Sequence, residues 1–331
     1  MMQAVLLAAG KGTRLQPLTL TRSKAMAPVA GRALGARVAD LLVAQGIEEL
    51  IVVVSPSDEE IQPYFATQSN LNVPTRFVMQ EERLGMAHAL GLVAPFLHGE
   101  FILSACDNLV PLEHVTALVA AHRKHGSAAT LSLMPIDIVQ ASKTGVVVWE
   151  PPFVRRIVEK PKPSEAPSNI SSLPLYVFAP AILDLLPLVQ KSARGEYELQ
   201  DAIQLLIEQT GRVGGVITES RQQVTNAADL LALNLHYLDE MPQRIDSGSQ
   251  LPHDVQLVAP VVIEACVEIG PGCTIGPHVY VERNAHIGAS TQIANALLLR
   301  GAEVPAGQQL NNEVIAPLPA LAAKSNLDTR F

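Results

Sequence analysis

Apolar positions follow two different periods along the 331 residues. From the start to about Leu238, short apolar runs alternate with stretches of helical spacing. Gln3 to Ala9 is a strand-like run into glycines, Ala33 to Gln45 has helical apolar spacing and stops at Gly46, and Ile51 to Val54 is a β-branched run. The order repeats as Pro74 to Met79 (strand), Gly85 to Ala94 (helix), Phe101 to Ala105 (strand) and Leu112 to Lys124 (helix). Strands alternating with helices predict an α/β fold with a mostly parallel sheet and helices on both faces, and ligands of such sheets gather at the carboxyl ends of the strands.

After Leu238 a stretch with Pro242, Ser247, Gly248, Ser249 and Pro252 marks a linker, residues 241–254, between a first domain at 1–240 and a second that begins at Val255. Beyond it the apolar period becomes six: Leu257, Ile263, Ile269, Ile275, Val281, Ile287, Ile293 and Leu299 recur at one position of successive sextets, with Gly270, Gly276 and Gly288 placed as turn residues. Helical periodicity cannot produce that spacing. A solenoid can, each sextet supplying one flat side of a triangular coil with its aliphatic residue inward. Residues 255–316 resemble the left-handed β-helix of hexapeptide-repeat proteins, with fewer than three full coils before Pro305 interrupts the pattern. Residues 317–331 form a tail without a legible pattern.

Composition narrows the function classes. Lys plus Arg total 24 against 32 Asp plus Glu, a formal charge of -8, and aromatics are 4%. That leaves neither a basic footprint nor a stacking platform for nucleic acid. The three cysteines are too few and too scattered for a disulfide framework or a zinc site, which points to a reduced compartment, the cytoplasm. The run Ala4 to Ala9 is too short for a secretory segment, and no stretch of about 18 uncharged apolar residues suggests membrane insertion.

Candidate chemistry begins where the first strand ends, in Leu7, Ala8, Ala9, Gly10, Lys11, Gly12, Thr13, Arg14 and Leu15, then Pro17, Leu18, Thr19 and Lys24. Two glycines after a strand let backbone N–H groups approach phosphate oxygens, and Arg14 and Lys24 supply the charge that a polyphosphate needs. Taken alone, the pair is equally an ordinary turn with two surface cations. It is not a Walker A loop, because Gly12 follows Lys11, nor a dinucleotide fingerprint, because Leu15 stands where a third glycine belongs.

The longer string resembles the signature of sugar-1-phosphate nucleotidylyltransferases, or nucleoside-diphosphate-sugar pyrophosphorylases, and especially glucose-1-phosphate thymidylyl- and uridylyltransferases. The likeness continues through Gln80, Leu84, Gly85, Ala87 and Ala89, then Asp107 and Asn108, then Gly145, Glu159, Lys160, Pro161, Tyr176 and Phe178. It spans essentially the whole chain, since many members also end in a hexapeptide β-helix, and it implies a Rossmann-like catalytic domain. The implied reaction is attack by the sugar phosphate on the α-phosphorus of a nucleoside triphosphate, with pyrophosphate leaving, so catalysis is mainly positioning and charge neutralisation.

Roles follow from the same resemblance. Arg14 and Lys24 are the expected catalytic cations, and Ala8, Ala9, Gly10, Gly12, Thr13, Gln80 and Gly85 the nucleotide contacts. An amide at Gln80 matches the imide edge of uracil or thymine, hence UTP or dTTP. Gly145, Glu159, Lys160 and Asn169 line up with the sugar contacts, although Glu159 and Lys160 also read as a surface ion pair. Asp107 is the expected Mg²⁺ ligand, its plainer reading being a turn or cap aspartate. Asn226 is favoured as the second ligand over Asp229, which falls in the first turn of a helix.

The chain departs from the family pattern at Ser23, usually proline, at Met86, usually threonine, and at Pro174, usually glycine, which removes a backbone donor near the sugar. Two other functions stay open: acyl transfer on the solenoid with His253, His278 or His286 as general base, or a non-catalytic sugar-nucleotide sensor. The flat faces and open end of the solenoid are expected to bury apolar surface by stacking on the catalytic domain or on another copy, hence a homo-oligomer, and truncation near Asp254 is expected to affect stability or assembly more than chemistry.

Overall fold

The computed structural model describes residues 2–10, 12–16, 18–20 and 22–317, so Lys11, Pro17 and all of the expected tail beyond Pro317 lie outside the described residues. In chain order its elements are β1 (Gln3–Leu7), β2 (Pro28–Val29), β3 (Arg32–Ala33), α1 (Leu34–Val43), β4 (Leu50–Val54), α2 (Ile61–Thr67), β5 (Thr75–Met79), α3 (Met86–Val93), β6 (Phe101–Ala105), β7 (Asn108–Leu109) and α4 (Leu112–His125). They continue as β8 (Ala129–Pro135), β9 (Gly145–Glu150), β10 (Phe153–Glu159), β11 (Ile170–Phe178), α5 (Leu199–Thr210), β12 (Val213–Ile217), β13 (Gln222–Gln223) and α6 (Ala227–Asp239), followed by short strands of a coil. Among the described residues no helix is long and apolar enough to cross a membrane.

Two compact units emerge. The first comprises residues 1–11, 23–25 and 35–223, the second residues 12–22, 26–34 and 224–331. The first unit carries a nine-stranded sheet in the order β5-β4-β1-β6-β11-β8-β12-β10-β9. Its first four strands are parallel, as the alternating pattern predicts. The remainder corrects the expectation of a mostly parallel sheet: β11 runs antiparallel to β6, β8 and β9, and β10 antiparallel to β9 and β12, leaving only β8 and β12 parallel there. For β9 and β10 the reason is connection length. Pro151 and Pro152 alone join β9 to β10, and a parallel crossover needs about a dozen residues or more. Beneath the sheet, Val5, Ile51, Val53, Leu103, Leu131, Tyr176 and Phe178 join Leu90, Ile203 and Leu206 in one buried core.

In the second unit the period of six becomes a coil of parallel strands in three sheets. Ile263, Val281 and Leu298 stack in register, as do Ile275 with Ile293 and Ile269 with Ile287, and all are buried in a single aliphatic core. Gly270, Gly276 and Gly288 lie against the adjoining coil, where an added Cβ would come within 2.5, 1.8 and 2.3 Å of backbone atoms. Two expectations are corrected. Leu298, not Leu299, continues the inward column, because the step from Ile293 shortens by one residue around Asn295, which takes a left-handed φ of 48°. Nor does Pro305 end the ladder, which continues through Gln309–Asn311 to Val314–Ile315, since the proline follows Val304 outside the paired strands. At the other end the ladder starts at Arg244–Ile245, paired with Val262–Ile263. Helix α6 packs on the strands at Val279–Val281, Ala296–Leu298 and Val314–Ile315, which explains why the outward residues Tyr280, Leu297 and Val314 are buried.

Candidate active site

Parallel strands β1 and β6 end side by side, and just past β6 stands a largely buried ion pair of the first unit. Lys24 Nζ donates to Asp107 Oδ2 in an ion pair whose side chains are only 14% and 11% exposed. Antiparallel pairing of β13 with β7 brings Gln223 opposite Asn108. From there Gln223 Nε2 donates to the same Asp107 oxygen at 3.4 Å, and Arg221 Nε donates to Asn108 Oδ1 at 2.7 Å. Burial lowers the pKa of the Arg221 guanidinium, against the pull of Asp107 and Tyr176. Cys106, next to Asp107, is no nucleophile: burial first, then the Asp107 charge, pushes its thiol up to about 12.

Nucleotide-contact candidates gather one strand further along. Gln80 is buried, and its Nε2 donates to Gly85 O at 3.2 Å and lies 3.0 Å from His88 Nδ1. A carbonyl accepts only, so the bond to Gly85 fixes which end of the amide is NH₂ and leaves Oε1 as the acceptor for a ligand. Gly85 has φ 101° and ψ 177°, and a Cβ there would lie 2.5 Å from Tyr197 O, so the corner requires glycine. Arg83 spans the end of β1 by donating to Ala9 O at 2.6 Å and to Ser55 Oγ at 2.6 Å. Ala8 and Ala9 are buried, whereas Gly10 is exposed and an added Cβ meets nothing within 4 Å.

A third group collects along β9, β10 and β11. Gly145 pairs with Glu159, and a Cβ on Gly145 would lie 3.2 Å from both Glu159 Oε2 and Gln200 Cγ. Glu159 Oε1 receives Lys160 Nζ at 3.1 Å and Arg194 Nη2 at 3.3 Å. With the Glu159 side chain 12% exposed, the pair is more than a surface contact. Among the described residues, Glu159 Oε2 and Gln200 Oε1 are buried without a hydrogen-bond partner. Burial raises the pKa of the neighbouring Tyr176 phenol, so it stays neutral, within bonding reach of Gln200 at 3.5 Å. Unsatisfied buried acceptors of this kind suit a ligand rich in hydroxyl donors. Pro174 falls in a bulge of β11, between Ser172 and Tyr176, where the ladder needs no N–H. Asn169 stands apart: it is exposed, and its backbone carbonyl accepts from Ile136 N at 2.8 Å.

The other expected residues belong to the second unit. Gly12, in a left-handed conformation, precedes a short 3₁₀ turn that exposes Thr13 and Arg14, and Thr19 Oγ1 donates to Gly12 O at 2.9 Å. Asn226 caps α6: its Oδ1 accepts from Asp229 N at 3.0 Å, while Asp229 Oδ2 accepts from the N–H groups of Thr225 and Asn226. On the coil, His253 is exposed, His278 Nε2 lies 2.6 Å from Asp239 Oδ1 and His286 Nδ1 3.0 Å from Glu268 Oε2. Among the described residues no three His, Cys, Asp or Glu side chains cluster as a complete metal cage. One carboxylate at a strand end is nonetheless compatible with Mg²⁺, which takes one or two protein carboxylates and fills its shell with phosphate oxygens and water. Sequence reasoning missed Arg83, His88, Arg194, Gln200, Arg221 and Gln223, none of which stands out until folding places it beside a named residue.

A nucleotidyl transferase family model matches residues 3–240. Over 207 residues the chain is 39% identical to the UTP--glucose-1-phosphate uridylyltransferase AglF of Haloferax volcanii, covering 62% of this chain and 84% of that protein. It is 25% identical over 334 residues to the bifunctional protein GlmU of Methanococcus maripaludis, covering 95% and 77%. In fold it is similar to a UDP-glucose pyrophosphorylase solved with UDP-glucose, at a TM-score of 0.67 and 20% identity, over 73% of this chain and all of the other.

Proposed function

The chain belongs to the nucleotidyl transferase family, acting on sugar-1-phosphates, and from that premise we propose that it joins UTP, or its thymine analogue dTTP, to glucose-1-phosphate and releases pyrophosphate. The observation that carries the reading is the pair between Asp107, just past the end of β6, and Lys24, at the start of a short 3₁₀ turn. A lysine held there by one carboxylate is ready to receive a phosphate without moving far. Lys24 steadies the nucleotide phosphate and the incoming sugar phosphate, while Arg14, with an always-charged fork, neutralises the departing pyrophosphate. Gln80 Oε1 accepts the N3–H of the pyrimidine, with Gly85 and the backbone of Ala8 to Thr13 completing the nucleotide contacts. Glu159, Gln200 and Lys160 take the sugar hydroxyls, with Asn169 at the rim. Asp107 would hold Mg²⁺, with the second lone pair of the Asn226 amide oxygen as the further protein ligand; when bound, the ion supplies charge neutralisation on the phosphates.

Transfer chemistry belongs to residues 1–240, with a Rossmann-like arrangement of helices on both sheet faces. Residues 255–316 form a left-handed β-helix that mediates a homo-oligomer, and 241–254 join the two. The three unpaired cysteines agree with a cytoplasmic setting. The test is pyrophosphate release with Mg²⁺ across UTP, dTTP, ATP and GTP against a panel of sugar-1-phosphates. Release with UTP or dTTP and glucose-1-phosphate is expected; no release from any pair overturns the proposal. Sedimentation as a single chain at micromolar concentration would overturn the oligomer.

A further inference from the structure

The stretch that carries Arg14 is anchored to the coil. At its end Arg22 Nη1 donates to Glu282 Oε1 at 2.6 Å across 260 residues of sequence, and the two side chains are only 4% and 8% exposed. Glu282 is held from the other side as well, because its Oε2 accepts from Arg300 N at 2.7 Å and its own N–H donates to Leu298 O at 2.8 Å. Further attachments follow along the chain. Asn234 of α6, which is buried, accepts from Ala30 N at 2.7 Å and donates to Pro28 O at 3.0 Å. Gly31, with φ 79°, lies so near Arg244 that a Cβ would fall 2.8 Å from Nη2. The coil and the helix on it thus hold Arg22, Pro28, Ala30 and Gly31, and in sequence the stretch that begins at Gly12 leads to Arg22.

We propose that the coil is a positioning device for nucleotide use, with Glu282 as the positioning residue that holds Arg22 and, through it, the segment bearing Gly12, Thr13 and Arg14. The proposal rests on the nucleotidyl-transfer reading above for its kinetic consequence, but not for its structural one. The physical reason is asymmetry. A buried guanidinium whose carboxylate is removed has no compensating charge, and it regains solvation by leaving the site. The segment must leave with it. Replacing both partners with apolar groups of similar length removes the charge problem altogether and lets the segment stay docked.

The experiment compares the full-length wild type with Glu282→Gln and the double variant Arg22→Met/Glu282→Met by hydrogen exchange of residues 12–22 without substrate and by steady-state kinetics. Glu282→Gln is expected to speed exchange in that segment and to raise the KM for UTP by about tenfold or more, while the KM for glucose-1-phosphate changes less than about twofold. The double variant should bring both readings back toward wild type. If Glu282→Gln leaves segment exchange and the UTP KM within twofold of wild type, whatever its melting temperature, the proposal fails. Should that variant not fold, Arg22→Gln, which leaves the Glu282 carboxylate buried without its cation, takes its place under the same criterion. Absence of pyrophosphate release in wild type would remove the transfer reading alone, leaving the exchange result to judge the anchoring.

Discussion

Substitution of Gly85 by alanine probes the nucleotide corner most directly, because its cost is written into the backbone. At φ 101° and ψ 177° an L side chain is strained by about 1–3 kcal/mol. The new Cβ would also stand 2.5 Å from Tyr197 O and 2.9 Å from Tyr197 N, so the backbone at Tyr197 must move. Those two atoms make the Tyr197 N to Leu84 O bond at 2.7 Å and the Ala87 N to Tyr197 O bond at 3.1 Å, each worth about 1 kcal/mol. The expected loss is about 3–5 kcal/mol, or roughly 6–20 °C in melting temperature. Because Gln80 Nε2 rests on Gly85 O, the amide loses its fixed orientation and the KM for UTP should rise about tenfold, near 1.4 kcal/mol. Gly91 of α3 is the matched control: nothing lies within 4 Å of an added Cβ, so alanine there should stabilise the helix by about 0.5–1 kcal/mol. Thermal melts and pyrophosphate-release kinetics on both variants decide the matter. A Gly85→Ala protein that melts and binds UTP like wild type would refute the reasoning.

Lys24→Met should lower kcat for pyrophosphate release by about 10²–10³, beyond any stability loss from the unpaired Asp107; a fall below tenfold would remove Lys24 from the transfer step. Ile287→Ala, in the coil core between Ile269 and Val304, should cost about 2–5 kcal/mol in denaturant unfolding, and a cost under 1 kcal/mol would contradict its inward placement. Buried His114 and His122 bond to Ser132 Oγ at 2.7 Å and Thr130 Oγ1 at 3.1 Å, and burial lowers both pKa values below 6.5. The unfolded chain therefore binds more protons in acid, so their contribution is complete above about pH 6.5 and is lost as pH falls below it. Urea midpoints at pH 7.5 and 5.5 should show the loss, and equal midpoints would contradict it.

Local pattern in the chain already contained the α/β alternation of the first half and the coil of the second. Strand and helix periods are properties of neighbouring residues, and a sextet repeats the same geometric demand every eighteen residues from Ile263 to Val281. Tertiary structure alone decided the antiparallel half of the sheet, the one-residue step near Asn295, and which polar groups meet. Gln223 reaches Asp107, and Arg221 reaches Asn108, at a two-residue strand too short to carry a period, and Arg22 meets Glu282 across most of the chain. A charged residue looks the same in sequence whether it faces water or a distant partner. Only the closed packing that excludes water from the pair, and so makes each charge depend on the other, distinguishes the two.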